Sequence, residues 1–284
     1  EDLSGDFDFS RNSAATRVNA QGLVENVQIL SGDLVSNGDF SQEGVQEVSN
    51  GSFSQEGAEQ VTNGDFATDS GWTKGAGWSI SGGTANALSV GSGQSLSQGT
   101  SIVASKIYRV DYTVSNFVEG GVYVRVGNSG TGTIRQENGT YTEYITQSGN
   151  TTIYFTAYSG STTLKIDNVS VKEVGQDWNL GTGWSIGEDK VIASGVASNL
   201  EQYFPLTSGK YYKLTYEVLT SNNNTLLGYF GGNTSISIPS TIGTHTVYGL
   251  SDGLYFLIRN GGFDGSITNI SVKEVGQDWT LGTG

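Results

Sequence analysis

Cysteine is absent from the chain, so disulfides, thiolate metal sites and cysteine catalysis are all excluded. Stability must come from packing or assembly. Proline occurs only twice and histidine once, which removes Pro-rich linkers and histidine metal clusters. Lys and Arg together number 14 against 28 acids, a formal charge of -14. Such an Arg-poor surface argues against nucleic acid, which rewards clustered cations. No apolar run reaches the ~18 residues of a membrane span, and no signal-peptide pattern opens the chain. Methionine is missing too, even at position 1. Together with the unfinished closing phrase "QDWTLGTG", this reads as a piece of a longer polypeptide. The missing targeting signal then says nothing about location.

Glycine is abundant instead, at 42 residues, alongside many Ser, Thr, Tyr, Val and Ile. This is the composition of short strands joined by tight turns. Two internal periods organise it. The shorter repeats every 13 residues: "VSNGDFSQEG", "VSNGSFSQEG" and "VTNGDFATDSG", headed by Val35, Val48 and Val61. The longer one returns after about a hundred residues. "VKEVGQDW" stands at 171–178 and again at 272–279, and "GWTKGAGWSI" (71–80) matches "DWNLGTGWSI" (177–186).

The longer period marks two copies of one module, 63–175 and 176–276, with 277–284 opening a third. Both copies alternate apolar and polar residues in short segments separated by Gly, Asn and Ser. The first has such segments at 107–115, 121–127, 140–147, 151–159 and 164–174. The second has them at 211–219, 225–230, 244–250, 254–260 and 267–275. No useful window carries the helical period. Strands every ten residues or so over a hundred residues predict an all-β fold of two tandem two-sheet sandwiches. The patterns predict neighbouring first and last strands, with "GQDW" as a short connector between modules.

Residues 1–62 hold 11 acids against Arg11 and Arg17. The 13-residue copies predict a short repetitive β-rich neck over about 30–62, because units too short to bury a core alone can share one. Asn-Gly is expected to form a type I′ turn, and the third copy to become the first strand of the first sandwich. The bland alternative is a flexible linker. Arg11 and Arg17 are expected to pair with Asp6, Asp8 or Glu25 of neighbouring chains, against the alternative of two solvated charges.

The opening "NGDF…GW", the "Y-x-V-x-Y-x-V" strand and the closing "IDNVSVKEV" resemble the jelly-roll carbohydrate-binding modules of glycosidases and phage tail proteins. "FDFSRNSAATRVNAQGLVENV" (7–27) resembles a segment that recurs in bacteriophage virion proteins, chiefly tail fibres. These resemblances imply a virion-surface or otherwise extracellular appendage, a homotrimer, and modules that bind cell-surface glycans. They also imply a structural Ca²⁺ in the first module, with Asp65 and Asp167 as the matching carboxylates. Ala67 stands where that family often has an acid. The second module has Thr268 in place of Asp167 and lacks the "NGDF" opening.

All five Trp fall in repeated phrases, and residues that recur with a module more often build it than serve it. The candidate ligand contacts are aromatics without a counterpart in the other module and their polar neighbours. These are Phe117, Tyr158, Tyr203, Phe204, Tyr229, Phe230 and Phe263, with Asn223 and Asn224. For each, the core is the commoner destination. His245 sits inside a strand pattern without a nucleophile motif, so no enzymatic activity is expected. The alternatives to a glycan-binding appendage are a self-assembling filament, a capsid decoration or a surface adhesin with no ligand.

Overall fold

The computed structural model describes residues 16–18, 20–26, 35–253 and 255–279. Arg11, Asp6 and Asp8 lie outside this set, as do the side chains of Arg17 and Glu25. All regular structure among the described residues is β, and no helix there is long and apolar enough to cross a membrane. Thr16–Val18 and Val24–Asn26 form a small antiparallel hairpin.

The remainder makes two sandwiches of the same plan. In the first, a five-stranded sheet runs in the order Gly130–Thr131, Val122–Val126, Thr152–Ala157, Ser95–Gly99, Thr73–Lys74. It faces a sheet ordered Gly139–Thr146, Ile107–Glu119, Thr162–Val174, Thr84–Val90, Trp78–Ser81. The second sandwich has the same two sheets. Asn179–Leu180, Asn199–Gln202, Phe256–Gly261, Thr225–Phe230 and Ser235–Ile238 form one, and Trp184–Gly187, Lys190–Ser194, Asp264–Val275, Tyr211–Ser221 and Gly243–Leu250 the other. Alternation explains the layers. In Ile107–Val114 every second residue (Tyr108, Val110, Tyr112, Val114) is buried, and Tyr212, Leu214, Tyr216 and Val218 repeat this in the second module. Each sandwich closes over its own apolar core.

The 13-residue copies do not pair with one another. They thread through the sandwiches. Glu43–Gln46 pairs antiparallel with the end of Asp264–Val275, and Glu56–Glu59 with the end of Thr162–Val174. Each adds an edge where the neighbouring strand leaves off, since Thr84–Val90 covers only Thr162–Ile166 and Lys190–Ser194 only Asp264–Ile267. The heads of the second and third copies then enter a core. Val61 and Phe66 belong to the first core, but Val48 and Phe53 belong to the second. So the second module, which lacks an "NGDF" opening in its own stretch, receives the related "NGSF" head of residues 50–53 from more than a hundred residues upstream. A separate neck is therefore not what residues 43–61 form: their backbone partners lie in the sandwiches. The physical reason is that a 13-residue unit has only one apolar face to bury, and the last strand of each module offers an unpaired edge.

The Asn-Gly turn also differs from type I′. Phe53 N–H donates to Asn50 O at 3.1 Å and Phe66 N–H to Asn63 O at 3.2 Å, which makes Gly and its successor the central residues. Positive φ falls on the flanks instead, at Asn50 (47°), Phe53 (58°), Asn63 (53°) and Phe66 (49°). A left-handed Phe is an outlier for a bulky side chain. It survives here because the turn drops the ring into the core. Glycine is required for closeness. A Cβ at Gly51 would lie 1.9 Å from the Ile270 carbonyl oxygen, and one at Gly64 2.0 Å from that of Val169. Ile270 and Val169 in turn donate their N–H groups to Gly51 O and Gly64 O, both at 2.9 Å.

Each head is met by a tryptophan. Phe66 packs on Trp72 (centroids 5.4 Å), Phe53 on Trp178 (5.2 Å) and Phe40 on Trp279 (5.1 Å). The indole N–H donates to the backbone oxygen of the copy's Asn: Trp72 to Asn63 and Trp178 to Asn50 at 3.1 Å, Trp279 to Asn37 at 3.0 Å. Trp78 and Trp184 are buried too, with donors on Gln94 O and Ser198 O. A buried glutamine clasps the second and third copies on both sides. Gln202 accepts from Ser49 N–H (2.7 Å) and donates to Ser49 O (2.9 Å), and Gln98 does the same at Thr62 (2.7 and 3.0 Å).

Candidate ligand-binding faces

In both modules the five-stranded sheet turns its second set of side chains away from the core; several are partly exposed, while Thr156 and Leu257 are buried. In the strand Val122–Val126 the valines point inward, leaving Tyr123 and Arg125 outside. Register brings Tyr154 beside Arg125, with Ser97 and Thr73 further along the same row. The Arg125 guanidinium lies over the Tyr154 ring, 4.6 Å from its centroid. Its Nε is buried and has no hydrogen-bond partner. A groove of about 540 Å³ opens here, lined by Tyr123, Arg125, Thr131, Thr133, Ile134 and Tyr158.

The wall of that groove is fixed from behind. Glu143 is buried and accepts from Tyr112 O–H and Thr133 N–H, both at 2.6 Å, and from Arg135 Nε at 3.3 Å. Arg135 covers the Tyr141 ring at 4.4 Å and exchanges backbone hydrogen bonds with Val122. Burial, reinforced by Glu143, pushes the Tyr112 phenol far up, so it stays a neutral donor. The loop 131–135 is thus held in place by contacts within the chain.

The second module offers a different lining on the same sheet. Glu201, Leu257, Tyr229 and Ser235 form one cross-strand row, and Asn199, Arg259, Leu227 and Ser237 the next. A groove of about 510 Å³ lies at the far edge, bordered by Asn179, Ser198, Asn199, Glu201 and Arg259. Tyr203 is exposed beside it. Its ring stands 5.6 Å from Tyr255 and its hydroxyl donates to Glu201 at 2.8 Å, which holds the phenol above its ordinary range.

The sequence candidates divide accordingly. Tyr158 lines the first groove, and Tyr229 and Tyr203 lie on or beside the second face. Phe230 and Phe263 do not reach solvent: both are core residues, Phe230 stacking between Tyr212 and Phe256. Strand alternation turns Phe230 inward as it turns Tyr229 outward. Phe204 is half-buried near Phe256, and Phe117 packs against the first core. Asn224 donates to Gly262 O at 3.0 Å and Asn223 sits in the same left-handed turn, so both serve the loop. His245 contacts Thr241 O and the Tyr216 ring. The sequence reading passed over Tyr123, Arg125, Tyr154, Glu201 and Arg259. The signal was there in "GVYVRVG", whose valines assign the alternate Tyr and Arg to the outer face.

The two calcium candidates each make a local backbone contact: Asp65 accepts from Ala67 N–H and Asp167 from Asn168 N–H. Among the described residues no three acidic or histidine side chains gather.

No known family profile matches the chain, and no curated protein does. Among solved structures it is similar to the N-terminal CBM22-1–CBM22-2 tandem domain of Xyn10C from Paenibacillus barcinonensis. The identity is 9%, the TM-score 0.32, and the match covers 78% of this chain and 98% of that one. It is also similar to allantoicase from Saccharomyces cerevisiae, at 10% identity and a TM-score of 0.24 over 67% of this chain and 80% of that one. Both scores are too low to bear on function, and the architecture rests on the sheets themselves.

Proposed function

We propose that the chain is a non-catalytic adhesive spacer of a phage virion appendage, whose sandwiches bind cell-surface glycans through the outer faces of their five-stranded sheets. The observation that carries the glycan reading is the Arg125 guanidinium stacked on Tyr154, beside a preformed groove lined by Tyr123, Arg125 and Tyr158. A flat phenol suits the C–H face of a sugar, and a guanidinium donor suits its hydroxyls. The second module supplies Tyr229, Glu201 and Arg259 in the same layer. The net charge of -14 favours neutral glycans over polyanions. Two weak sites on one chain raise overall avidity by about 10²–10⁴-fold when both engage, and a homotrimer multiplies the sites further. The phage setting is supported by the resemblance of residues 7–27 alone.

A glycan array probed with the wild-type chain and with Tyr123→Ala/Arg125→Ala tests the reading. Wild-type binding to a subset of neutral glycans, lost in the double variant with the fold intact, is expected. No binding above background, or binding unchanged in the variant, rejects it.

A further inference from the structure

We propose that the free end of the second sandwich, together with the first 13-residue copy, is the seat of a third sandwich of the same build. The junction between the first two sandwiches shows what such a seat looks like when covered. There Ile107, Tyr144 and Val174, at the end of the first sandwich, pack against the core of the second. Copy two meets them with Val48 and Phe53, and the chain enters the second module through Trp178.

Cross-strand register identifies the counterparts one module on. Ile107 faces Val174 as Tyr211 faces Val275, and Tyr144 faces Arg109 as Tyr248 faces Lys213. Copy one reaches this end as copy two reaches the other. Glu43 binds Lys213 (2.5 Å) and Lys273 (2.9 Å) as Glu56 binds Arg109 and Lys172 (both 2.8 Å). Phe40 stacks on Trp279, whose indole donates to Asn37.

All the parts are present, and they are more open to solvent than their counterparts at the covered junction. Val48, Phe53 and Trp178 are 5%, 2% and 5% exposed, whereas Val35, Phe40 and Trp279 are 45%, 57% and 37% exposed. Tyr211 and Tyr248 are also open, at 37% and 59%. They border a groove of about 530 Å³ with Phe40 and Val275. An apolar surface of this kind marks an interaction site. Its occupant is specified by the covered junction: a β-sandwich entered through Trp279. The three copies then match three sandwiches in reverse order, one copy closing each.

The test appends a second copy of residues 184–276 after Gly284, in register with the module phrase. Because the chain has no cysteine, Val35→Cys gives a single thiol for maleimide labelling. Labelling at least about tenfold slower in the extended chain than in the 284-residue chain is expected, as is no concentration dependence in the latter. In the extended chain, Phe40→Asp is expected to abolish the melting transition of the appended sandwich and to leave the other two in place. Equal labelling rates overturn the proposal, as does an appended sandwich that stays unfolded. Labelling of the 284-residue chain that slows with protein concentration also overturns it, by showing that a second copy is the occupant.

Discussion

Replacing Phe53 by Ala should unfold the distant sandwich rather than the adjacent one. Phe53 lies only about twenty residues before the first module's Trp72, yet its ring is 2% exposed in the second core and packs on Trp178. A fully buried Phe→Ala change costs about 3–5 kcal/mol, including the cavity it leaves. The left-handed backbone at position 53 (φ 58°) is no easier for Ala, so no relief offsets that loss. For a unit of roughly 100 residues, each kcal/mol shifts the midpoint by about 4 °C, which gives a drop of roughly 15 °C. Calorimetry with hydrogen exchange resolved by peptide is the assay. Phe53→Ala should speed exchange in 179–275, and Phe66→Ala should do so in 73–174. If Phe53→Ala instead loosens 73–174, or neither module, the assignment of copies to cores is refuted.

Other substitutions probe the same threading. Gly51→Ala should cost about 2–3 kcal/mol, because its Cβ meets a backbone carbonyl that cannot step aside, while Gly160→Ala, with open space around it, should be close to neutral by thermal melting. Gln202→Leu should cost about 1–3 kcal/mol in the second sandwich alone, by stranding the N–H and C=O of Ser49; an equal loss in the first sandwich would contradict this. Acid should release the threaded strands. Lys213 and then Lys273 hold Glu43 below the usual carboxylate range, and Lys172 and then Arg109 do the same for Glu56. Their contribution is therefore full above pH 4.5 and fades as pH falls through the lowered values, discounted for exposure. Glu47, raised by burial and by Glu274, works in the opposite direction. Glu43→Gln/Glu56→Gln should flatten the acid limb of the melting curve, and an unchanged limb would show that the pairs add nothing.

The sandwich was legible in the sequence because its signals are local. Alternation in "IYRVDYTV" and "YYKLTYEV" states which residues go inward, and the 101-residue echo of "VKEVGQDW" states that the plan is used twice. The destination of the 13-residue copies was not legible from their period, because Glu56–Glu59 and Glu43–Gln46 find their partners more than a hundred residues away. One clue existed: three "NG-x-F" heads and three module-opening tryptophans, Trp72, Trp178 and Trp279, call for a one-to-one pairing. The turn was misjudged for a related reason. Asn-Gly predicts a hairpin by its own dihedral preferences, but at Gly51 and Gly64 the deciding fact is the carbonyl of another strand pressed against the missing Cβ. Of the ligand candidates, Tyr229 and Phe230 are adjacent letters with opposite fates, and only the strand's phase separates them.

Amide exchange of the intact chain under native conditions tests the threading most directly. Glu47 N–H is bound to Val272 O and Gln60 N–H to Val171 O, each at 2.9 Å. Both amides should therefore exchange as slowly as the strand residues they pair with, Glu47 following the second sandwich and Gln60 the first. Exchange across 43–61 at the rate of an unstructured peptide, with both sandwiches protected, would show that the copies form a free linker.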